Sequence, residues 1–309
     1  MVNNQLINKN EENGNKMTFS SYMTSNAVSA KINQIIGNDK DGAKFISTII
    51  SSVQANPMLK ECTNSSILSC ALTAHALNLS PSPQLGQIYL VPFKVTDKET
   101  KKQRTEAQLQ IGTRAYIQLA IRSGYYTKIN VVPIKKGELV KFDPLMEDIE
   151  VNLIENEIER EHAETIGYYG MFEYKNGFKK AIYWSKEKMI LHADRYSKSF
   201  NASDYKLIQE GKIAQKDMWK YSSPWYTSFD AMAEKTLIKH LLSKWGILST
   251  ELQEALEKDQ SVINEDGSVT YVDNIENEEF DYAEENNNED KVQTESVEHA
   301  EVISIDDIK

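Results

Sequence analysis

The chain has 309 residues, 35 Lys and Arg against 46 Asp and Glu, and a formal net charge of −11. It holds no run of about 18 apolar residues, which excludes a membrane-spanning helix. Its first residues, MVNNQLINKNEENGNK, lack the apolar stretch of a secretory signal. The negative total argues at first against a nucleic-acid partner, but the charge is unevenly spread. Residues 258–309 carry 17 Asp and Glu against 3 Lys, a net of −14, which leaves residues 1–257 at +3. A weakly basic body with an acidic appendage suits a nucleic-acid-binding chain, although acidic tails also serve solubility alone.

In chain order, residues 1–20 are rich in Asn, Lys and Glu and are expected to be disordered. Ser21–Ile36 and Ala43–Gln54 read as helices. Asn64 or Ser65 can cap a third helix, with Ile67, Leu68, Ala71, Leu72, His75 and Leu79 at helical spacing and Pro81 and Pro83 ending it. Cys62 and Cys70 match no metal or redox spacing, so free thiols in a reducing cytoplasm are expected.

An apolar strand, Ile88–Val95, then leads into a basic turn holding Lys94, Lys98, Lys101, Lys102 and Arg104. The return strand, Thr105–Ile111, alternates, with Ala107, Leu109 and Ile111 on one face and Gln108 and Gln110 on the other. Gly112 permits a sharp turn into a helix that starts with Thr113 and Arg114. An arginine in the first helical turn opposes the helix dipole, but the free N–H groups there attract anions. The pair therefore makes sense around an external phosphate.

Residues 131–154 alternate weakly and are acidic, as expected of strands and loops. Ile166–Trp184 reads as an aromatic-rich hairpin closed by a type I′ turn at Asn176-Gly177. Ser185 caps a helix to about Tyr196, Ser197–Ser203 is a linker, and Lys212–Lys220 reads as a short helix. Thr227 and Asp230 approximate a capping box for a last long helix. Its apolar stripe is Phe229, Met232, Ala233, Leu237, Leu241, Leu242 and Trp245, with Gly246 as C-cap. Hairpins among separate helices predict an α+β fold, with a core over 21–256 and an acidic tail or small docking element over 257–309.

Several constellations point to phosphate chemistry. Lys212, Lys216 and Lys220 recur every fourth residue and would share a helix face, beside Trp219, Tyr221, Trp225 and Tyr226. Cations tracking phosphates with aromatics for bases form a single-strand binding pattern. A solvated lysine face beside a core aromatic cluster gives the same spacing. At the first hairpin, Arg114 offers a planar fork for phosphate, assisted by Thr113 and Gln110, while an ion pair to Glu106 is the alternative. Arg122 shares no clear stripe with Arg114. Arg195, Tyr196, Lys198 and Phe200, preceded by Lys179, Lys180, Lys186 and Lys188, could set an exposed ring among cations or be ordinary surface. Lys235 and Lys239 lie one turn apart opposite the apolar stripe, and His240 is expected to contact protein rather than metal.

The chain has no GxxxxGK[ST] loop, HExxH, CxxC pair or GxSxG, so nucleotide hydrolysis of the P-loop type is not expected. Glu173-Tyr174-Lys175 mimics half of a metal-dependent nuclease site that Asp143 could complete. A non-DNA-binding oligomeric adaptor is a further alternative.

The stretches QIYLVPF (Gln87–Phe93), Gln110-Ile111-Gly112 with Arg114, LAIRSGYY (Leu119–Tyr126), GYYGMFEYKNG (Gly167–Gly177), Trp184-Ser185-Lys186 and SFDAMAEKTLIKHLL (Ser228–Leu242) follow in order. Together this set resembles the RecT/Redβ family of phage single-strand annealing recombinases over roughly residues 40–250. The resemblance implies ATP-independent pairing of complementary DNA strands on a homo-oligomeric ring or helical filament, in a bacterial cytoplasm. It implies no required cofactor, with Mg2+ modulating annealing. It also implies a phage exonuclease and the host single-strand binding protein as partners, with the C-terminal segment as the candidate docking element.

Overall fold

The computed structural model describes residues 17–96, 103–263 and 269–271. Four helices come first: α1 (Phe19–Met23), α2 (Asn26–Ile36), α3 (Asp39–Ala55) and α4 (Asn64–Ala76). The helix expected over 21–36 is broken between α1 and α2, and the body begins earlier than expected, because Phe19 and Met23 are buried. Side-chain caps set three of these starts. Thr18 accepts from the Ser21 N–H, Asn38 from that of Asp41, and Thr63, one residue before the expected cap, from that of Ser66.

The hairpin of β1 (Ile88–Thr96) and β2 (Gln103–Ile111) pairs in unbroken antiparallel register from Ile88↔Ile111 to Thr96↔Gln103. Next come α5 (Thr113–Arg122), β3 (Tyr126–Lys135), the short hairpin of β4 (Leu139–Asp143) and β5 (Asp148–Val151), and α6 (Glu157–His162). The second long hairpin is β6 (Thr165–Tyr174) and β7 (Lys179–Ser185), followed by α7 (Lys186–Tyr196), α8 (Ala202–Gln209), α9 (Pro224–Thr227), α10 (Phe229–Trp245) and α11 (Thr250–Lys258). The strands β8 (Ser261–Ile263) and β9 (Val269–Tyr271) close the described chain. The sheets run β1-β2-β8-β9, β3-β6-β7 and β4-β5, every pair antiparallel. The molecule is therefore α+β, as the sequence predicts.

Helix α10 is the spine of the body. Its Ile238, Leu241 and Leu242 join a core with α1–α5, β1 and β2. Its Phe229, Ala233 and Leu237 join an aromatic core of Tyr168, Trp184, Phe200, Tyr205 and Trp225. Gly170 of β6 lets it lie close, since a Cβ there would meet Leu237 at 3.1 Å.

Four local expectations are corrected. The β6–β7 hairpin has a three-residue loop, Lys175-Asn176-Gly177, in which Gly177 alone has positive φ, so the turn is not type I′. The capping box at Thr227 does not form. Asp230 instead accepts from Tyr168 Oη at 2.6 Å and Thr165 Oγ1 at 2.9 Å, tying α10 to β6. The lysine-rich helix is a 3-10 segment, Gln215–Tyr221. The core does not end at 256: Asp259, Ser261, Val262 and Ile263 are buried, and β8 pairs with β2 through Gln108↔Val262 and Leu109↔Ser261. The burial of β2 explains part of this: Glu106–Leu109 is buried, so the backbone groups on the edge away from β1 cannot reach water and are paired by β8.

Candidate nucleic-acid interface

The corner between β2 and α5 is built on close backbone approach. A Cβ on Gly112 would fall on the Gly86 carbonyl oxygen, and the Gly112 N–H donates to Gln87 O at 2.7 Å. Gly112 itself has ordinary extended backbone (φ −82°), so glycine is needed there for space. Gly86 does take positive φ (+62°), and a side chain on it would meet Tyr89 Oη at 3.2 Å and Arg114 Cδ at 3.5 Å. The two glycines thus set the exposed ring of Tyr89 beside the exposed guanidinium of Arg114. Gly112 has no side chain to cap α5; the Ala115 N–H donates to Gly112 O at 2.9 Å, which leaves the N–H groups of half-buried Thr113 and of Arg114 to meet an external acceptor. Glu106 does not pair with Arg114. It pairs with Arg104.

Gln110 is less available than the sequence suggests. Its Nε2 donates to Gln108 Oε1 at 3.0 Å, and buried Gln108 donates to Gln260 O at 2.6 Å. Arg122 is committed elsewhere as well, its guanidinium donating to Leu77 O at 2.7 Å and Asn78 O at 2.9 Å, which joins α5 to the end of α4. Lys98, Lys101 and Lys102 lie outside the described residues.

Lys235 and Lys239 do not project from a polar helix face. They lie 3.3 and 3.6 Å from the carboxylate of Asp259, which also accepts from the Ile111 N–H at 2.7 Å and Tyr116 Oη at 2.8 Å. Burial works against the charged form of Asp259. Lys235 and Lys239, followed by the Ile111 and Tyr116 donors, outweigh it and hold the carboxyl below the usual range. The two lysines therefore organise the rear of the α5 corner.

Around the aromatic core, Phe200 is 6% exposed and packs on Tyr205, Trp225, Tyr226 and Phe229, so it is a core ring and not an exposed wedge. Lys212 pairs with Glu210 before the 3-10 segment begins, and 3-10 winding turns Lys220 about a third of a revolution from Lys216. The three lysines do not form one stripe. Trp219 is 74% exposed, with Lys220 over its ring at 5.8 Å and exposed Lys216 one turn before. Tyr221 packs inward, edge-on to Tyr226 at 5.1 Å.

A row of rings crosses β7, α7 and α10; the sequence marks Tyr196, His240 and Trp245 separately and does not place them together. Trp184 contacts His192 at 5.2 Å and His240 at 4.8 Å. His192 continues to Tyr196, and His240 to Trp245. Lys188 lies over Trp184, Arg195 over Tyr196, and both Lys180 and Lys244 over Trp245, at 4.1–5.3 Å. His240 meets protein rings, as expected. Half-buried Lys186 opens α7, and exposed Lys198 follows it. No signal in the sequence sets these rings together, because their partners come from three separate elements.

Glu173 lies between Lys128 (3.9 Å) and Lys179 (3.6 Å), and Asp143 Oδ1 accepts the Leu145 and Met146 N–H groups. Both carboxylates of the nuclease alternative thus have other partners. Among the described residues, no group of three or more His, Cys, Asp or Glu could hold a metal ion, and no helix is long and apolar enough to cross a membrane.

A family model described as "RecT family" matches residues 43–279. The chain is 33% identical over 270 residues to "Uncharacterized protein YqaK" of Bacillus subtilis (strain 168), covering 84% of this chain and 82% of that protein. It is 26% identical over 217 residues to "Protein RecT" of Escherichia coli (strain K12), covering 70% of this chain and 71% of that protein.

Proposed function

Because the chain belongs to the RecT family, whose members act in DNA recombination and annealing, we propose that it is an ATP-independent protein that binds single-stranded DNA by its phosphate backbone and pairs it with a complementary strand. The observation that carries this reading is the glycine-built corner. An uncapped helix N-terminus, an exposed arginine and an exposed tyrosine converge there without a base-specific pocket. Helix N–H groups and Arg114 suit a phosphate, and Tyr89 suits a base face. Contacts of this kind accept any sequence, as an annealing protein must, and leave base pairing to test complementarity. The exposed Trp219 with Lys216 and Lys220 offers a second stacking point.

In this reading a homo-oligomer aligns neighbouring subunits along the strand and raises the local concentration of pairing partners. Annealing is downhill, so no cofactor is required, and Mg2+ acts by screening strand repulsion. Residues beyond Tyr271 are the candidate docking element for a phage exonuclease and the host single-strand binding protein.

The test is annealing of two fluorophore-labelled complementary oligonucleotides with magnesium and without ATP. Rapid pairing of complementary but not unrelated strands, both intact on a gel, is expected. Shortened strands would favour a nuclease. Pairing no faster than without protein would favour an adaptor.

A further inference from the structure

The last described strand sets where the acidic C-terminal residues leave the body. Tyr271 of β9 pairs with Ser261 of β8, and Ser261 pairs with Leu109 of β2. Both pairings are antiparallel, so β9 runs in the same direction as β2. Just past Leu109, β2 ends at Ile111 and the chain turns through Gly112 into Thr113 and Arg114. Tyr89 lies at the same end of the sheet, opposite Gln110. β9 therefore points toward the end of the sheet that carries the Tyr89–Arg114 corner. Tyr271 and Leu109 are two strand spacings apart, roughly 10 Å, and Thr113 stands about 13 Å farther along the direction of β2. About six extended residues span that gap.

The residues that follow match the corner in charge and in kind. Residues 272–290 hold nine Asp and Glu and no Lys or Arg, with Phe280 and Tyr282 among them. Carboxylates strung along a chain with rings between them present what a single strand presents, anions with stackable faces. A carboxylate suits the guanidinium fork of Arg114 as a phosphate does, and a ring suits the exposed ring of Tyr89. Asp273 and Glu276 fall within the residues that bridge the gap, and Glu278, Glu279 and Phe280 follow them.

We propose that the acidic segment 273–290 docks on the Tyr89–Arg114 corner of its own chain and competes there with single-stranded DNA. The covalent link gives the segment a high effective concentration at the corner, so contacts that are weak one by one keep it occupied. A single strand that brings phosphates and bases together displaces it, whereas an isolated anion does not. The proposal deepens the DNA-binding reading above and rests on it.

The test compares two chains of the full 309 residues, the wild type and an amide chain in which the acidic residues of 272–290 are replaced by Asn and Gln. At low salt the amide chain should bind an oligothymidylate roughly tenfold more tightly, since an occupied corner lowers apparent affinity by the fraction that is free. Relief of charge repulsion gives the same sign, so docking is read separately. A fluorescein-labelled peptide of residues 272–290 is titrated with the amide chain and followed by anisotropy. It should bind saturably, be displaced by unlabelled oligothymidylate, and bind several-fold more weakly when the amide chain also carries Arg114→Ala. Replacing Phe280 and Tyr282 of the peptide by Ala should weaken it further. A peptide that does not bind, or that binds the Arg114→Ala chain equally well, overturns the proposal. Tight and equal oligothymidylate binding by the wild-type and amide chains overturns the tail contact alone. Failure of both chains to bind oligothymidylate overturns the DNA reading and the competition with it.

Discussion

Asp259 accepts the backbone N–H of Ile111 at 2.7 Å across 148 residues of sequence, and the same carboxylate holds Lys235 and Lys239 of α10. One buried acid therefore joins the end of β2, the start of α5 and the central helix. Replacing it with Asn keeps the shape but leaves two half-buried ammonium groups uncompensated. Breaking a buried pair costs about 3–5 kcal/mol, so Asp259→Asn should lower the urea midpoint markedly. The pH dependence follows from its depressed carboxyl pKa. The folded value lies below the ordinary 3.8, so the stabilisation is present above that value and is lost as pH falls through the folded pKa. Acid unfolding of the wild type should therefore steepen below about pH 4, and Asp259→Asn should flatten that limb.

The extent of the folded body can be read by truncation. Removing 272–309 leaves Asp259 and the buried Ser261–Ile263 strand in place, whereas removing 258–309 takes both away. The first truncation should keep the thermal midpoint within a few degrees. The second should unfold the β2–α5 corner or fail to give soluble protein. Equal melting of the two would show that β8 contributes nothing.

Arg114 and Arg122 share a helix but have different partners, and they should separate in a salt titration. Arg114→Ala should weaken single-strand binding and reduce the log–log salt slope by about 1. Arg122→Ala removes two bonds to carbonyls of residues 77 and 78, so it should lower stability and leave the slope unchanged.

Gly112→Ala should test the close approach directly. The added methyl meets the Gly86 carbonyl, and relief requires the Arg114 turn to move. A destabilisation of about 1–3 kcal/mol is expected, together with loss of DNA affinity, measured by chemical unfolding and fluorescence anisotropy. Ala at Gly137, which takes positive φ but has nothing within 4 Å, is the control for backbone strain without a clash.

Trp219 and Phe200 make a contrasting pair. Trp219→Ala removes an exposed ring and should cost roughly 1–3 kcal/mol in single-strand affinity if a base stacks there, with little change in melting. Phe200→Ala opens a cavity in the aromatic core and should cost about 3–5 kcal/mol of stability.

The sequence by itself determined what depends on neighbours in the chain. The β1–β2 and β6–β7 hairpins, the Ser185 cap, the apolar stripe of α10 and the glycine before Thr113-Arg114 are all local patterns of period two, period 3.6 or turn chemistry. Only the tertiary structure decided which cations remain available to a ligand. Lys235, Lys239 and Arg122 look like surface charges at helical spacing, yet a buried aspartate and two carbonyls distant in sequence claim them. Phe200 looks like a wedge but fills a core. Asp259 was hidden among the acidic residues of the tail, because charge counting cannot see that the buried edge of β2 away from β1 is paired by β8. Spacing along the chain fixes a side chain's direction. Its partner is fixed by long-range packing, and that partner decides whether a charge meets DNA or holds the protein together.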